Sequence, residues 1–344
     1  MSDTSSTMKA LYYPAWGKLE MRQLGMPSPG PDDALVRVLS CGICGSELET
    51  FKSESGRRTP PLVMGHEFCG VVESVSGDAP PVQPGQRVIC HAVVHCGACS
   101  FCLRGATNLC LRRQVFGMHR PGAFAEFVAV PKRVLIPWPA GLAQDAAVFA
   151  EPLANGINAM RQGSNPDRSR VVVIGAGPIG LMCLFAATRL YQSSVIVSDL
   201  LPDRLRAAVI LGAACTVNPQ TQDLQTACRE LWNGERAVYV IDAVGSAMTK
   251  RIAMDLVEPG GTVVWVGLHE DAVSLKSYNV TLGQRCIAGS YSGSLDDMRL
   301  AVEILSEGSL DTSWVTHCPI ERAEQAFREL LRPNARMVKV VLDF

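Results

Sequence analysis

The chain has 344 residues, more than one hydrophobic core ordinarily serves, so two domains are expected. Apolar residues make up 47% and charged residues 19%, which is enough apolar material for two soluble cores. The formal net charge of −1 argues against a nucleic-acid or acidic-membrane partner. No apolar run approaches the roughly 18 residues of a transmembrane helix. The polar opening stretch, 1–7, lacks the apolar core of an export signal and reads as a short tail on a cytoplasmic protein.

The first 150 residues read as short strands at 34–40, 70–75, 87–91 and 125–130. Turn chemistry such as Ser28-Pro29-Gly30-Pro31 and Gln83-Pro84-Gly85-Gln86 punctuates them. This is the texture of a barrel-like, antiparallel β domain. Three chemically loaded spots fall in it or at its edge: Cys41 in S-C-G-I-C-G-S-E, His66-Glu67 in G-H-E-F-C-G, and Glu151 in F-A-E-P-L-A. A thiolate, an imidazole and carboxylates make a mixed shell that leaves a position open. That is the requirement of a catalytic zinc, which makes a bound alcohol hydroxyl a stronger acid.

Thirteen cysteines in a large chain without an export signal point to metal ligation rather than disulfides. Cys96, Cys99, Cys102 and Cys110 have the spacing C-x2-C-x2-C-x7-C, which closes a four-thiolate shell and implies a structural zinc. A redox thiol cluster or an iron–sulfur cluster also uses cysteines in this way. The spacing, with no Pro after Cys110, favours zinc. His91 and His95 are nearby alternative donors. Cys183, Cys215, Cys228, Cys286 and Cys318 sit in apolar or mixed stretches and read as small core residues.

From about residue 155 the texture changes to strands fed by helices. Strands are expected at 170–174, 195–198, 215–217, 237–241 and 262–266, with helices at 178–191, 202–211, 223–232 and 247–257 between them. Unbroken apolar strands in this alternation indicate a parallel sheet covered on both faces. Between the first strand and helix lies Gly175-Ala176-Gly177-Pro178-Ile179-Gly180, the G-x-G-x-x-G turn of a dinucleotide site. Asp199 closes the next strand 24 residues after Gly175, where a carboxylate accepts from both ribose hydroxyls and repels a 2′-phosphate. That favours NAD over NADP; Arg204 would stack on adenine, tolerate a phosphate, or simply be a solvated helix charge. A strand at 286–291, a helix at 295–306 and a β-like segment at 338–342 complete the chain, with no internal repeat.

The ordered set of Cys41, the G-H-E at 65–67, the four-cysteine loop, Glu151-Pro152 and G-A-G-P-I-G resembles the zinc-containing medium-chain dehydrogenases. It is most similar to their sorbitol, galactitol-phosphate and threonine dehydrogenase branch. The resemblance spans nearly the whole chain. It implies a GroES-like catalytic domain over 1–154 and 292–344 and a Rossmann coenzyme domain over 155–291. By position, Cys41 and His66 would hold the catalytic zinc. Either Glu67 or Glu151 would make the next bond while the other contacts the metal-bound water. Ser46 matches the hydroxyl that touches substrate and starts the proton path. Glu47 stands where an Asp is usual, and Glu49 where many members place a relaying His.

Val244 in I-D-A-V-G, Val266 and Leu268 in V-G-L, and Ser290 and Tyr291 in G-S-Y-S would line the cofactor, the last two stretches flanking the nicotinamide. The segments 48–51, 116–120 and 290–294 would set specificity, and His119 and Arg120 could meet a polar or phosphorylated substrate. The implied activity is NAD-linked oxidation of a secondary alcohol, a polyol or related small molecule, in a homodimer or homotetramer. Two rivals are an NADPH-linked aldehyde or ketone reductase of the same fold and a non-catalytic zinc and nucleotide-binding regulatory protein.

Overall fold

The computed structural model describes residues 7–52, 57–77 and 82–344. Apart from Thr7, the stretch read as a tail lies outside them. The chain divides into two compact units, Met1–Glu151 with Ser294–Phe344, and Pro152–Gly293. No helix among the described residues is long and apolar enough to cross a membrane.

The first unit is organised around the strand Asp33–Gly42, which is buried along most of its length. One edge pairs antiparallel with Glu67–Val75. The other edge is shared: residues 33–37 pair with Phe127–Pro131 and residues 40–42 with Lys339–Asp343, both antiparallel. Arg87–Cys90 and Leu135–Pro137 extend the sheet beyond Glu67–Val75. The expected all-antiparallel pattern has one departure, since Val315–Pro319 joins Lys339–Asp343 in parallel. Parallel neighbours need a crossover, and the helix Ala323–Leu330 supplies it.

Two small antiparallel sheets complete this unit. Thr7–Ala15 pairs with Lys18–Gly25 and Leu62–Val63, and Val93–Val94 with Gln114–Val115, which closes the base of the cysteine loop. Phe68, Phe116, Phe124 and Phe327 fill the core, with edge-on ring pairs at 5.6 Å (Phe68–Phe116) and 5.9 Å (Phe124–Phe327). Each buried ring contributes on the order of 2–3 kcal/mol.

The second unit is a six-stranded sheet, parallel throughout. Across the sheet the strands run Cys215–Val217, Ser194–Ser198, Arg170–Ile174, Ala237–Asp242, Val257–Trp265 and Cys286–Gly289. In chain order this is 3-2-1-4-5-6, the doubly wound Rossmann arrangement. The helices Pro178–Tyr191, Pro202–Ile210, Leu224–Leu231 and Ala247–Leu256 make crossovers. The fifth strand begins earlier than the sequence suggests. The strand expected at 262–266 starts at Val257, which already pairs with Ala237, and an irregularity in register absorbs the extra residues.

Candidate metal centres and dinucleotide site

The strand Asp33–Gly42 ends just before a helix, Gly45–Lys52, and Cys44 stands at the junction. Its carbonyl accepts from Glu47 N (3.0 Å) and Leu48 N (3.3 Å), so Cys44 caps the helix. Glu47 reaches back to Cys44 N (2.9 Å), half of a capping box. Its other oxygen accepts from Gly65 N (2.9 Å) and lies 2.9 Å from His66 Nδ1. One buried carboxylate thereby ties the helix start to the G-H-E turn and fixes the imidazole, leaving Nε2 for a metal. Burial alone would push the Glu47 carboxyl up; the charges of His66 and Arg58 turn the shift downward.

The ligand atoms of Cys44, His66 and Glu67 lie within 4.8 Å of one another. One sulfur, one nitrogen and one carboxylate oxygen form a three-donor set that suits zinc with a position left open. Glu67 Oε2 also bonds Lys339 Nζ, which donates to Ile43 O at 2.9 Å. Lys339 is fully buried; burial alone would lower its ammonium, and the Glu67 charge outweighs that and raises it. Gly42 makes room for the pair, since a Cβ there would strike Glu67 Oε2 and sit 2.9 Å from Lys339 Nζ.

The expected ligand Cys41 is not brought to this group. It lies within the strand, paired across the sheet with Phe68 and Leu342, and belongs to the apolar core. Its thiol lies 3.9 Å from the Gly42 carbonyl, and burial pushes it well above the usual thiol range. Cys44, three residues on, takes the place expected of it. Glu151 is buried in the first turn of the helix Ala150–Met160 and is not in the converging set.

Ser46 Oγ donates to Cys44 Sγ (3.3 Å) and accepts from Arg58 Nη2 (3.0 Å). Arg58, at 1% exposure, gave no signal in the sequence. Glu49 is on the exposed side of the same helix. His119 Nδ1 accepts from Val115 N (3.1 Å), which holds its own loop, and Arg120 covers the Phe116 ring at 4.8 Å and donates to Ala129 O, which ties the loop to the strand Phe127–Pro131.

If the Glu47 carboxylate fixes His66, Glu47→Gln should keep the fold and weaken the metal. The expected loss is about 10- to 100-fold in zinc affinity, measured by competition with a chelator. An unchanged affinity would show that the 2.9 Å contact does not orient the ring.

In the cysteine loop all four sulfurs lie within 4.8 Å of one another. The separations Cys99–Cys102 and Cys96–Cys102 are 3.5 and 3.9 Å. Four sulfurs about 2.3 Å from a tetrahedral zinc are about 3.8 Å apart, so the loop fits that ion. Gly97 and Gly105 adopt the left-handed backbone its turns require (φ +76° and +83°). Cys110 Sγ accepts from Cys96 N and Arg112 N at 3.3 and 3.4 Å. The Ala98 backbone amide, with further donors, pulls the Cys96 thiol down to about 5, favouring the thiolate that binds metal.

In the second unit Gly175 is left-handed (φ +95°) and donates to Ser198 O (2.7 Å). A Cβ on Gly180 would strike the Gly175 carbonyl, whereas one on Gly177 would meet nothing within 4 Å. The turn is therefore tight on its inner side and open where a pyrophosphate would lie. Pro178 begins the helix, followed by Ile179. Asp199, 8% exposed, accepts from Ala176 N (2.7 Å) and Leu201 N (2.9 Å), and Arg204 lies 3.5 Å from it. Arg204 is thus paired with the carboxylate whose preference it was expected to modify.

Val244, Val266, Leu268, Ser290 and Tyr291 all follow the carboxyl ends of strands, where doubly wound sheets bind their ligands. Val244 N and Val266 N are held by Asp242, and Ser290 N by Trp265 O. Val244, Leu268 and Tyr291 are 38%, 64% and 40% exposed.

Known proteins match this geometry. The alcohol dehydrogenase GroES-like domain family matches residues 30–140, and the zinc-binding dehydrogenase family residues 178–307. The chain is 28% identical over 341 residues to L-galactonate-5-dehydrogenase of Escherichia coli strain K12, covering 98% of this chain and 100% of that one. It is 30% identical over 348 residues to D-arabitol-phosphate dehydrogenase of Enterococcus avium, covering 98% of each. Its fold matches that of an Escherichia coli CFT073 alcohol dehydrogenase complexed with NADH, with a TM-score of 0.90 and 28% identity over 98% of this chain and 100% of that one.

Proposed function

The chain belongs to the zinc-dependent medium-chain alcohol dehydrogenases, and from that premise we propose that it oxidises a secondary alcohol of a polyol, sugar alcohol or related compound, passing the hydride to NAD. The convergence of Cys44, His66 and Glu67 carries this reading, because an enzyme needs an open donor set and not only a closed one. Zinc bound there supplies a Lewis acid that makes an alcohol hydroxyl a stronger acid. Everything else is the work of the chain. Glu47 orients His66, Lys339 balances the Glu67 charge, and Ser46 Oγ hydrogen-bonds the substrate hydroxyl. The proton released on oxidation goes to solvent, and Glu49, on the exposed face of the same helix, is the candidate for handing it over. The four-cysteine loop holds a second, structural zinc. A reducing, cytoplasmic setting keeps these thiols in the ligating form, and a homodimer or homotetramer is the expected assembly.

The test is a panel of polyols, sugar alcohols, polyol phosphates and L-threonine with NAD, following the absorbance of the reduced cofactor. Activity on L-threonine alone would remove the polyol assignment, and silence across the panel would remove the catalytic one. Cofactor choice rests on Asp199, whose charge favours ribose hydroxyls over a 2′-phosphate. Asp199→Ala should shift the ratio of kcat/KM values toward NADP by about 10- to 100-fold, the worth of hydrogen bonds to a charged group. A preference of the unaltered enzyme for NADP would favour the reductase reading instead.

A further inference from the structure

No motif marks Asn158, yet its carboxamide joins the end of the helix Ala150–Met160 to the loop 290–292 of the coenzyme unit. Its Oδ1 accepts from Gln162 Nε2 (2.8 Å), which also donates to Asn158 O (3.0 Å). Its Nδ2 faces Ser292 O (2.5 Å), Ser290 Oγ (3.2 Å) and Tyr291 O (3.4 Å). Two of these are backbone carbonyls, which can only accept, so the amide must present its NH2 side to them.

The helix end that carries this amide is itself anchored. Tyr239, buried in its strand, brings its hydroxyl to Ala159 O (2.6 Å) and Gln162 O (2.9 Å). Arg168 donates to Met160 O and Gln162 O, both at 2.9 Å. These side chains satisfy carbonyls at the end of the helix, so Asn158 projects from a fixed base.

The loop it holds has the opposite character. It follows the carboxyl end of the strand Cys286–Gly289, where a doubly wound sheet receives its ligand. Ser290 N donates to Trp265 O (3.0 Å), which secures the start of the loop. Ser292 is left-handed (φ +51°), a conformation costly for a residue with a side chain. Its carbonyl takes the shortest of the Asn158 bonds, so the clamp acts where the backbone is most reluctant.

We infer that Asn158 is a positioning residue for the cofactor, fixing the loop 290–292 in the shape that receives the nicotinamide half. The adenine half is left to the Gly175–Gly180 turn and Asp199. The inference rests on the reading that Ser290 and Tyr291 line the nicotinamide.

Two ligands separate the halves. NADH carries the nicotinamide, whereas ADP-ribose keeps the adenine, both riboses and the pyrophosphate without it. Their binding to the zinc-loaded enzyme is measured by calorimetry for the unaltered protein, Asn158→Asp, Gln162→Leu and the double variant. Melting temperature is checked in each. Asn158→Asp keeps the shape of the side chain but puts an oxygen where two carbonyls require a donor.

Asn158→Asp should weaken NADH about 10-fold, the worth of one hydrogen bond, and leave ADP-ribose within about twofold. Gln162→Leu should act in the same direction by about threefold, because the amide keeps its donors and loses the bond that orients them. The double variant should be no weaker than Asn158→Asp alone, since Gln162 acts through Asn158. Gln162→Leu leaves the backbone bonds of residue 162 in place and decides the matter where Asn158→Asp fails to fold. Equal weakening of both ligands, an additive double variant, or unchanged NADH binding overturns the inference. Failure of the parent reading looks different: the unaltered enzyme then binds NADH no more tightly than ADP-ribose.

Discussion

Cys44→Ala is expected to lower the zinc content from two ions per chain to one and kcat/KM by on the order of 10³-fold, while Cys41→Ala keeps both ions and most of the activity. A Lewis acid contributes several kcal/mol to the barrier, and each 1.36 kcal/mol is a factor of ten. Cys41 supplies only core packing, so its truncation should cost about 1 kcal/mol of stability. Elemental analysis beside initial rates separates the two variants. Loss of zinc and activity from Cys41→Ala, with Cys44→Ala intact, would reverse the assignment. The contrast is sharp because the two thiols are three residues apart yet belong to different environments, one inside a strand and one at the start of a helix.

Removing the Lys339 ammonium should strongly destabilise the first unit. Lys339→Met keeps the length of the stem but leaves the Glu67 carboxylate buried, at 1% side-chain exposure, without its cation. Breaking a buried pair from one side costs about 3–5 kcal/mol. The expected readout is a large fall in the urea midpoint of metal-free protein. Adding Glu67→Gln should recover much of the loss, because the orphaned charge has gone. A Lys339→Met variant as stable as the unaltered chain would mean that the carboxylate is neutralised in some other way.

Much of the coenzyme unit was legible because its signals are local. The apolar run at 171–174, the glycine turn and Asp199 fall within 30 residues, and the strand–helix alternation needs no long-range contact to be read. The cysteine loop was legible for the same reason, its four donors falling within 15 residues. The open metal site was only half legible. His66 and Glu67 stand in one turn, but S-C-G-I-C-G-S-E offers two thiols. The choice depends on where Asp33–Gly42 stops, and the Glu three residues after Cys44 was the usable cue.

Lys339 and Arg58 were not legible at all. Lys339 sits in a tail of alternating character, and nothing local reveals a carboxylate 272 residues away. Arg58 stands in Gly56-Arg57-Arg58-Thr59-Pro60, a composition that normally marks a solvated loop. Its burial follows from contacts at Ser46, Thr50 and Gly117, which pattern reasoning cannot bring together.

The pairing of Glu67 with Lys339 also bears on how the molecule is made. At 5–20 residues per second, the 272 residues between them take roughly 15–55 s to synthesise. Throughout that interval the nascent first unit has Glu67 but lacks both its cation and the strand Lys339–Asp343 that lies beside Cys41. The whole Rossmann unit, Pro152–Gly293, which contains neither Glu67 nor Lys339, is translated in the meantime. Biosynthesis is therefore expected to run in the order coenzyme unit first and metal centre last, with zinc captured at the end of maturation.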